Sequence, residues 1–143
     1  NGTGRIANIS GQGFKHAGEF ISRWLAGVPS ILKDSIKTNF PGTPGGGGSD
    51  FASFVAAGAP GFSLSSLSWS YYNYTWHTNR DTYDKIIFDD LRGNAIITAI
   101  MVYMACEDPK TLPRDKANLS SGQPIPWPIQ VKSLRKGPVV PKK

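Results

Sequence analysis

The sequence predicts an α/β fold, a layered sheet with helices packed on it, and three observations lead there. Over residues 1–107 the spacing of apolar residues switches repeatedly between a two-residue and a three-to-four-residue repeat. Breaker-rich stretches punctuate the switches, the longest being "PGTPGGGGSD". A chain of 143 residues that is 39% hydrophobic has room and material for one core, which sets it apart from a disordered chain. The resulting order is β-α-β-α-β-loop-α, and such alternation favours helices laid on a sheet.

Each element follows from its own stretch. "GRIANIS" alternates like a strand. "KHAGEFISRWLAGV" places Ala17, Phe20, Ile21, Trp24, Leu25 and Val28 on one helical stripe, which Pro29 ends. "SILKDSIKTNF" returns to rough alternation and predicts a second strand, closed by the glycine-rich stretch. "DFASFVAAGA" predicts a short helix with Ser49 or Asp50 as its N-cap, because either side-chain oxygen can accept from the orphan N–H groups of a first turn. Gly58 is its stop. "PGFSLSSL" predicts a buried strand. "DDLRGNAIITAIMVYMACED" predicts the longest helix, with Asp89 or Asp90 near its start and an apolar face from Leu91 to Met104.

Charge divides the chain in two. Residues 1–107 hold eight Lys/Arg and eight Asp/Glu, so the whole excess of +6 sits in residues 108–143. A neutral body argues against nucleic acid as a partner and leaves only a tail-driven polyanion contact to consider. That tail is Pro-rich and predicts an extended segment that wraps over a neighbour or stays mobile, with Trp127 and Ile129 as docking residues. No stretch reaches the roughly 18 continuous apolar residues of a membrane span, and "NGTGRIANIS" lacks the basic-then-apolar order of a secretion signal. Cys106, the single cysteine, lies in an apolar run and reads as a buried packing residue. His16, beside Lys15, reads as a surface residue.

Two loops lie where open α/β sheets bind ligands, beyond the ends of strands. In the first, Gly45 to Asp50, glycines let backbone approach a ligand, yet no GK[ST] or GxGxxG unit is present, so a phosphate loop is poorly supported and a flexible connector serves as well. The second is "YTWHTNRDTYDK", residues 74–85. A neutral imidazole binds zinc well when its other ring nitrogen is held by a carboxylate or carbonyl, and Asp81 can serve His77 in that way. One histidine does not make a zinc site, which takes about four ligands, and neither HExxH, HxH nor CxxC accompanies it. On the residues alone, His77 reads as a hydrogen-bonded structural side chain sooner than as a metal ligand.

The ordered run from "GGGGSDFASFVAAGAPGFSLSSL" through "WHTNRDT" to the helix ending in "EDPKTLPRD" resembles the C-terminal part of M28-family zinc exopeptidases, the aminopeptidase and carboxypeptidase Q-like group. The shared elements are a Gly-[ST]-Asp with a Phe shortly after, a Gly-x-Pro related to "GAPGF", a His-[ST]-x-x-Asp-Thr unit and the closing long helix. The likeness covers roughly residues 1–115. It implies a three-layer sandwich with a mixed sheet, of which this chain is the C-terminal half.

The resemblance also implies a site. His77 falls on the last metal ligand of a centre in which two zinc ions share a bridging carboxylate, and Asp81 would orient it. The other ligands and a general-base glutamate lie N-terminal to the family's equivalent of this region, and "NGTGRI" resembles the segment directly after the penultimate metal-binding carboxylate. The implied chemistry is hydrolysis of terminal peptide bonds by a zinc-activated water. Gly48, Ser49 and Asp50 would line the substrate side of the pocket, with Tyr74, Trp76 and their tyrosine neighbours as its wall. No residue of this chain is expected to be catalytic by itself. The N-terminal half of the same peptidase is the expected partner, a peptide the expected substrate, and a secreted or periplasmic location the expected setting.

Departures from the family pattern keep a second reading in view. Phe51 and Trp76 stand where the family often has His; neither is an expected metal ligand, and both bear on substrate contacts. The second reading is a catalytically dead relative used as a binding or structural module, with Phe51 and the basic tail as its distinctive features. Asn-x-Ser/Thr sequons occur at Asn1, Asn8, Asn73 and Asn118; Asn8 lies in a predicted strand and Asn73 in the supposed pocket loop, where a glycan would be awkward.

Overall fold

A computed structural model describes residues 3–45 and 49–117. Its centre is β1 (Ile6–Ser10), the middle strand of a mixed sheet of order β2-β1-β3. β2 (Lys37–Asn39) runs parallel to it and β3 (Ser63–Ser66) antiparallel, with Ser63 opposite Ser10 and Ser66 opposite Ile6. The α/β class with a mixed sheet is therefore present as expected. Ile6 and Ile9 project into the core from β1. α1 (Ala17–Leu25) covers them with Ala17, Phe20, Ile21 and Trp24, followed by Val28, which is the predicted stripe with Leu25 at its half-buried margin.

The predicted strand over residues 30–40 is only half strand. Ser30–Lys33 forms a short helix, α2, and the pairing with β1 begins at Lys37. Pro29 starts this helix as well as ending the previous one. Its ring holds φ at −55°, and its carbonyl accepts from the Leu32 and Lys33 N–H groups. Lys33 Nζ then reaches back to the Leu25 and Ala26 carbonyls at the end of α1. Ile31, which the alternation would have placed in a core, is 92% exposed.

α3 (Phe51–Ala56) ends as predicted. Gly58 takes φ +76° and donates to Val55 O while Ala59 donates to Phe54 O, the paired bonds that satisfy the last carbonyls of a helix. Its start differs from expectation. Asp50 occupies the N-cap position in helical conformation and makes no side-chain cap; the Ser49 and Asp50 carbonyls instead accept from Ala52 and Ser53. β3 is a half-buried edge strand rather than a buried one.

The long helix, α5 (Phe88–Glu107), carries Asp89 and Asp90 in its first turn as expected. Ile97 and Met101 are buried, and Ile100, Met104 and Ala105 pack against the same core. The opposite side is also apolar: Leu91, Ala95, Ala99, Val102 and Tyr103 are exposed, and Cys106 with them. Cys106 is thus not a packing residue. An apolar run in a helix has two sides, and α1 covers only the one that holds Ile97 and Met101.

Past α5 the chain returns over the body. Asp108, with a side chain only 4% exposed, accepts from Arg23 Nε and Trp24 Nε1, both at 2.9 Å, and pairs with Arg23 Nη2 at 2.8 Å. Leu112 is buried, Lys15 N–H donates to Asp115 O, and Lys116 bridges Phe14 in antiparallel fashion. The first part of the tail therefore docks on the body, while Trp127 and Ile129 lie outside the described residues, as do Gly48, Asn1 and Asn118.

The hydrogen bond from Lys110 N–H, helped by Trp24 and Arg23, holds the Asp108 carboxyl below its ordinary value although burial pushes the other way. A carboxyl with a lowered folded pKa stabilises the fold above its unfolded value, about 3.9. That contribution is lost as pH falls through the folded value. Chemical unfolding followed from about pH 5 down to about pH 2 is expected to show stability falling with acid, and Asp108→Asn is expected to flatten that part of the curve.

Candidate functional site

The His77 loop leaves the sheet at the Ile6 end. β3 runs out at Ser66, Leu67 N–H donates to Arg5 O, and the chain turns through Trp69 and Ser70, both left-handed with φ of 44° and 62°. Side-chain-bearing residues adopt that conformation rarely. Gly4 lies under this turn, where a Cβ would collide with the Leu67 carbonyl oxygen. One turn of helix follows, α4 (Tyr71–Tyr74), and the Tyr71 carbonyl accepts from both Thr75 and Trp76 N–H at 2.9 Å. Buried Thr75 anchors the next turn through Thr78, whose hydroxyl donates to its carbonyl at 2.7 Å. Between them stands His77, exposed, with φ of 57°.

The side chains form a ladder. The His77 ring stacks on Trp76 with centroids 3.9 Å apart and planes 21° from parallel. Trp76 meets Tyr72 edge to face at 5.6 Å, and Tyr72 meets Tyr71 at 5.5 Å. Tyr71 closes the ladder by donating its hydroxyl to Asp81 Oδ2 at 2.6 Å. That bond and the carboxylate charge raise the Tyr71 phenol above its ordinary pKa, because the neutral hydroxyl is the form that donates. Among the described residues no hydrogen bond joins Asp81 to His77; the connection between them runs through three aromatic rings. Tyr74 and Trp76 stay 66% and 46% exposed, available to a ligand.

Tyr71 and Asp81 also line a cavity of about 140 Å³ with Thr3, Gly4, Lys85 and Asn94. Asn94 fixes one wall, accepting from Ile6 N–H at 2.7 Å and donating to Gly4 O at 3.0 Å. The sequence reading missed it, although a lone amide inside an apolar helix was the available signal. The structure thus brings together the start of β1, the His77 loop and the first turns of α5.

Ser49 and Asp50 lie elsewhere. The glycine-rich connection leaves β2 beside Ser10, at the sheet end opposite the one where the His77 loop departs. Both residues are exposed. His16 is half-exposed at the start of α1, 4.0 Å from the carboxylates of Glu19 and Asp115, which agrees with a place near the surface. Among the described residues no three His, Cys, Asp or Glu side chains group to hold a metal ion. A single imidazole is not a zinc site, so these residues by themselves do not fit the dinuclear centre that the resemblance implies. No described helix is long and apolar enough to cross a membrane.

No curated protein and no solved structure matches the chain. The model of one family, "Peptidase family M28", matches residues 4–102, a stretch that runs from the floor of the 140 Å³ cavity through the whole His77 loop and most of α5. That stretch is well over half of the sequence. The chain belongs to peptidase family M28, a family of metallopeptidases.

Proposed function

We propose that this chain is the C-terminal part of the catalytic domain of a zinc-dependent exopeptidase that hydrolyses terminal peptide bonds, and that it is inactive by itself. The family match across the His77 loop carries the reading. His77 is the chain's one contribution to a two-zinc centre, and Asp81 steadies it through Tyr71, Tyr72 and Trp76. Tyr74 and Trp76 offer exposed aromatic surface to the substrate beside His77, and Ser49 and Asp50 frame the peptide from the other end of the sheet. A five-residue strand spans roughly 16 Å, a distance that an extended peptide of similar length covers. Secretion or periplasmic export is the setting proposed for it.

The partner is the N-terminal half of the same peptidase, and the uncovered side of α5 is where it seats. Leu91, Ala95, Ala99, Val102 and Tyr103 form a continuous apolar strip along that helix, larger in extent than isolated surface residues need. Val102→Asp would place an unpaired charge in that contact, so association of the two halves is expected to weaken by roughly 100-fold in a binding measurement, as burying an unpaired charge costs several kcal/mol. Unchanged association would move the interface off α5.

The reading is tested on the complete protein by measuring release of terminal residues from peptides. Activity removed by a chelator and restored by zinc supports the enzyme. A well-folded complete protein with neither zinc nor hydrolysis would instead support a catalytically dead relative used as a binding module.

A further inference from the structure

The turn that joins β1 to α1 buries a polar residue that the core does not require. Gln12 is 4% exposed and left-handed, with φ of 54°, a conformation rare for a residue with a side chain. Its side chain does not bond within the core. Oε1 accepts the Gly45 N–H at 2.7 Å, 33 residues along the chain. The flanking residues grip the same stretch: Gly11 N–H donates to Asn39 O at 3.1 Å and Gly13 N–H to Pro41 O at 2.7 Å. Gly42, at φ 73°, turns so closely here that a Cβ would come within 3.1 Å of the Gln12 nitrogen. Three consecutive residues therefore clamp the chain between Asn39 and Gly45.

The clamp extends to α3. A Cβ at Gly45 would lie 3.1 Å from both Gln12 Oε1 and the Phe51 ring, so the first residue of α3 is seated against the point that Gln12 holds. An apolar side chain of similar length would fill the same space. What it would not do is satisfy the Gly45 N–H, and backbone held in a rare conformation around such a bond is a mark of positioning.

We propose that Gln12 is a positioning residue that sets where Ser49 and Asp50, at the start of α3, stand relative to the sheet. The inference rests on the peptidase reading, in which those two residues frame the substrate. Removing the acceptor leaves Gly45 and the start of α3 free to shift while β1, α1 and the His77 loop stay in place. Substrate binding then suffers and the chemical step does not.

The test uses the complete protein with Gln12→Met, which keeps the length and deletes the acceptor, and Gln12→Glu, which keeps an acceptor oxygen. In Q12M the Gly45 amide is expected to exchange with solvent about tenfold faster, the size of one lost hydrogen bond, with Q12E close to wild type. KM for peptides is expected to rise several-fold in Q12M with kcat within about twofold, and to recover in Q12E. Unchanged Gly45 exchange in Q12M overturns the clamp. Faster exchange with unmoved KM overturns the positioning role and leaves a structural bond. If the wild-type protein hydrolyses no peptide, the peptidase reading falls separately, and exchange at Gly45 decides the clamp: protection retained in Q12M overturns it. Should Q12M fail to fold, Gln12→Asn, which withdraws the oxygen by one methylene, replaces it in the same measurements.

Discussion

Replacing His77 by alanine in the complete protein is expected to strip bound zinc and abolish peptide hydrolysis together. Residues behind a metal ligand typically change metal affinity or activity by about 10–100-fold, so loss of a ligand itself should exceed that range. The fold should survive, because His77 is exposed and its ring stacks on the part-exposed Trp76 at the surface. Zinc content by elemental analysis, thermal unfolding and hydrolysis rate, measured on the same preparation, check the three parts. Tyr71→Phe is the graded companion. It keeps the ring that meets Tyr72 and removes only the hydroxyl that Asp81 accepts, so its loss should stay within that 10–100-fold range. An H77A protein that keeps its zinc would take His77 out of the metal site and leave the aromatic ladder as a purely structural feature.

The largest effect on stability is expected at Phe14. It is fully buried between β1 and α1, in contact with the returning tail at Lys116, and ranks among the largest fully enclosed side chains. Phe→Ala in a packed core costs about 3–5 kcal/mol, from lost burial and from the cavity left behind. Small domains have only about 5–15 kcal/mol to lose, so the melting temperature should fall on the order of 10 °C or more. Ile31→Ala is the matched control: an apolar residue of high exposure on α2, whose removal should change stability by less than about 0.5 kcal/mol. Equal melting temperatures for the two variants would mean that the core is centred elsewhere.

Much of the fold was legible because its periodic stretches are also its buried ones. The stripe of Ala17, Phe20, Ile21 and Trp24 reads as a helix face and is one, and the glycine at 58 stops α3 by the conformation only glycine takes cheaply. Where a residue's partner is distant in sequence, legibility ended. Nothing local says that α1 covers one side of α5 and leaves the other bare, so Cys106 looked buried and is exposed. Nor does alternation say which strand will be paired; residues 30–33 alternate yet fold as a helix behind Pro29. In the candidate site, His77 and Asp81 stand out through the resemblance of the His-[ST]-x-x-Asp-Thr unit, but the bond to Asp81 comes from Tyr71, and Asn94 enters from a helix that periodicity marks only as apolar. Gln12 gave no signal, since its one informative contact lies 33 residues away.

The return of residues 108–117 over the β1–α1 junction has a consequence for the order in which the molecule is completed. Phe14 leaves the ribosome about a hundred residues before its neighbour Lys116, with Lys15 and Asp115 joined at the same seam. Contacts so far apart in sequence are slow to close and leave apolar surface uncovered until they do. A chain that has emerged only through α5 therefore holds its sheet and helices with the junction still open, and the short stretch from Asp108 to Lys116 acts as a late stitch, drawn only after the body exists to receive it.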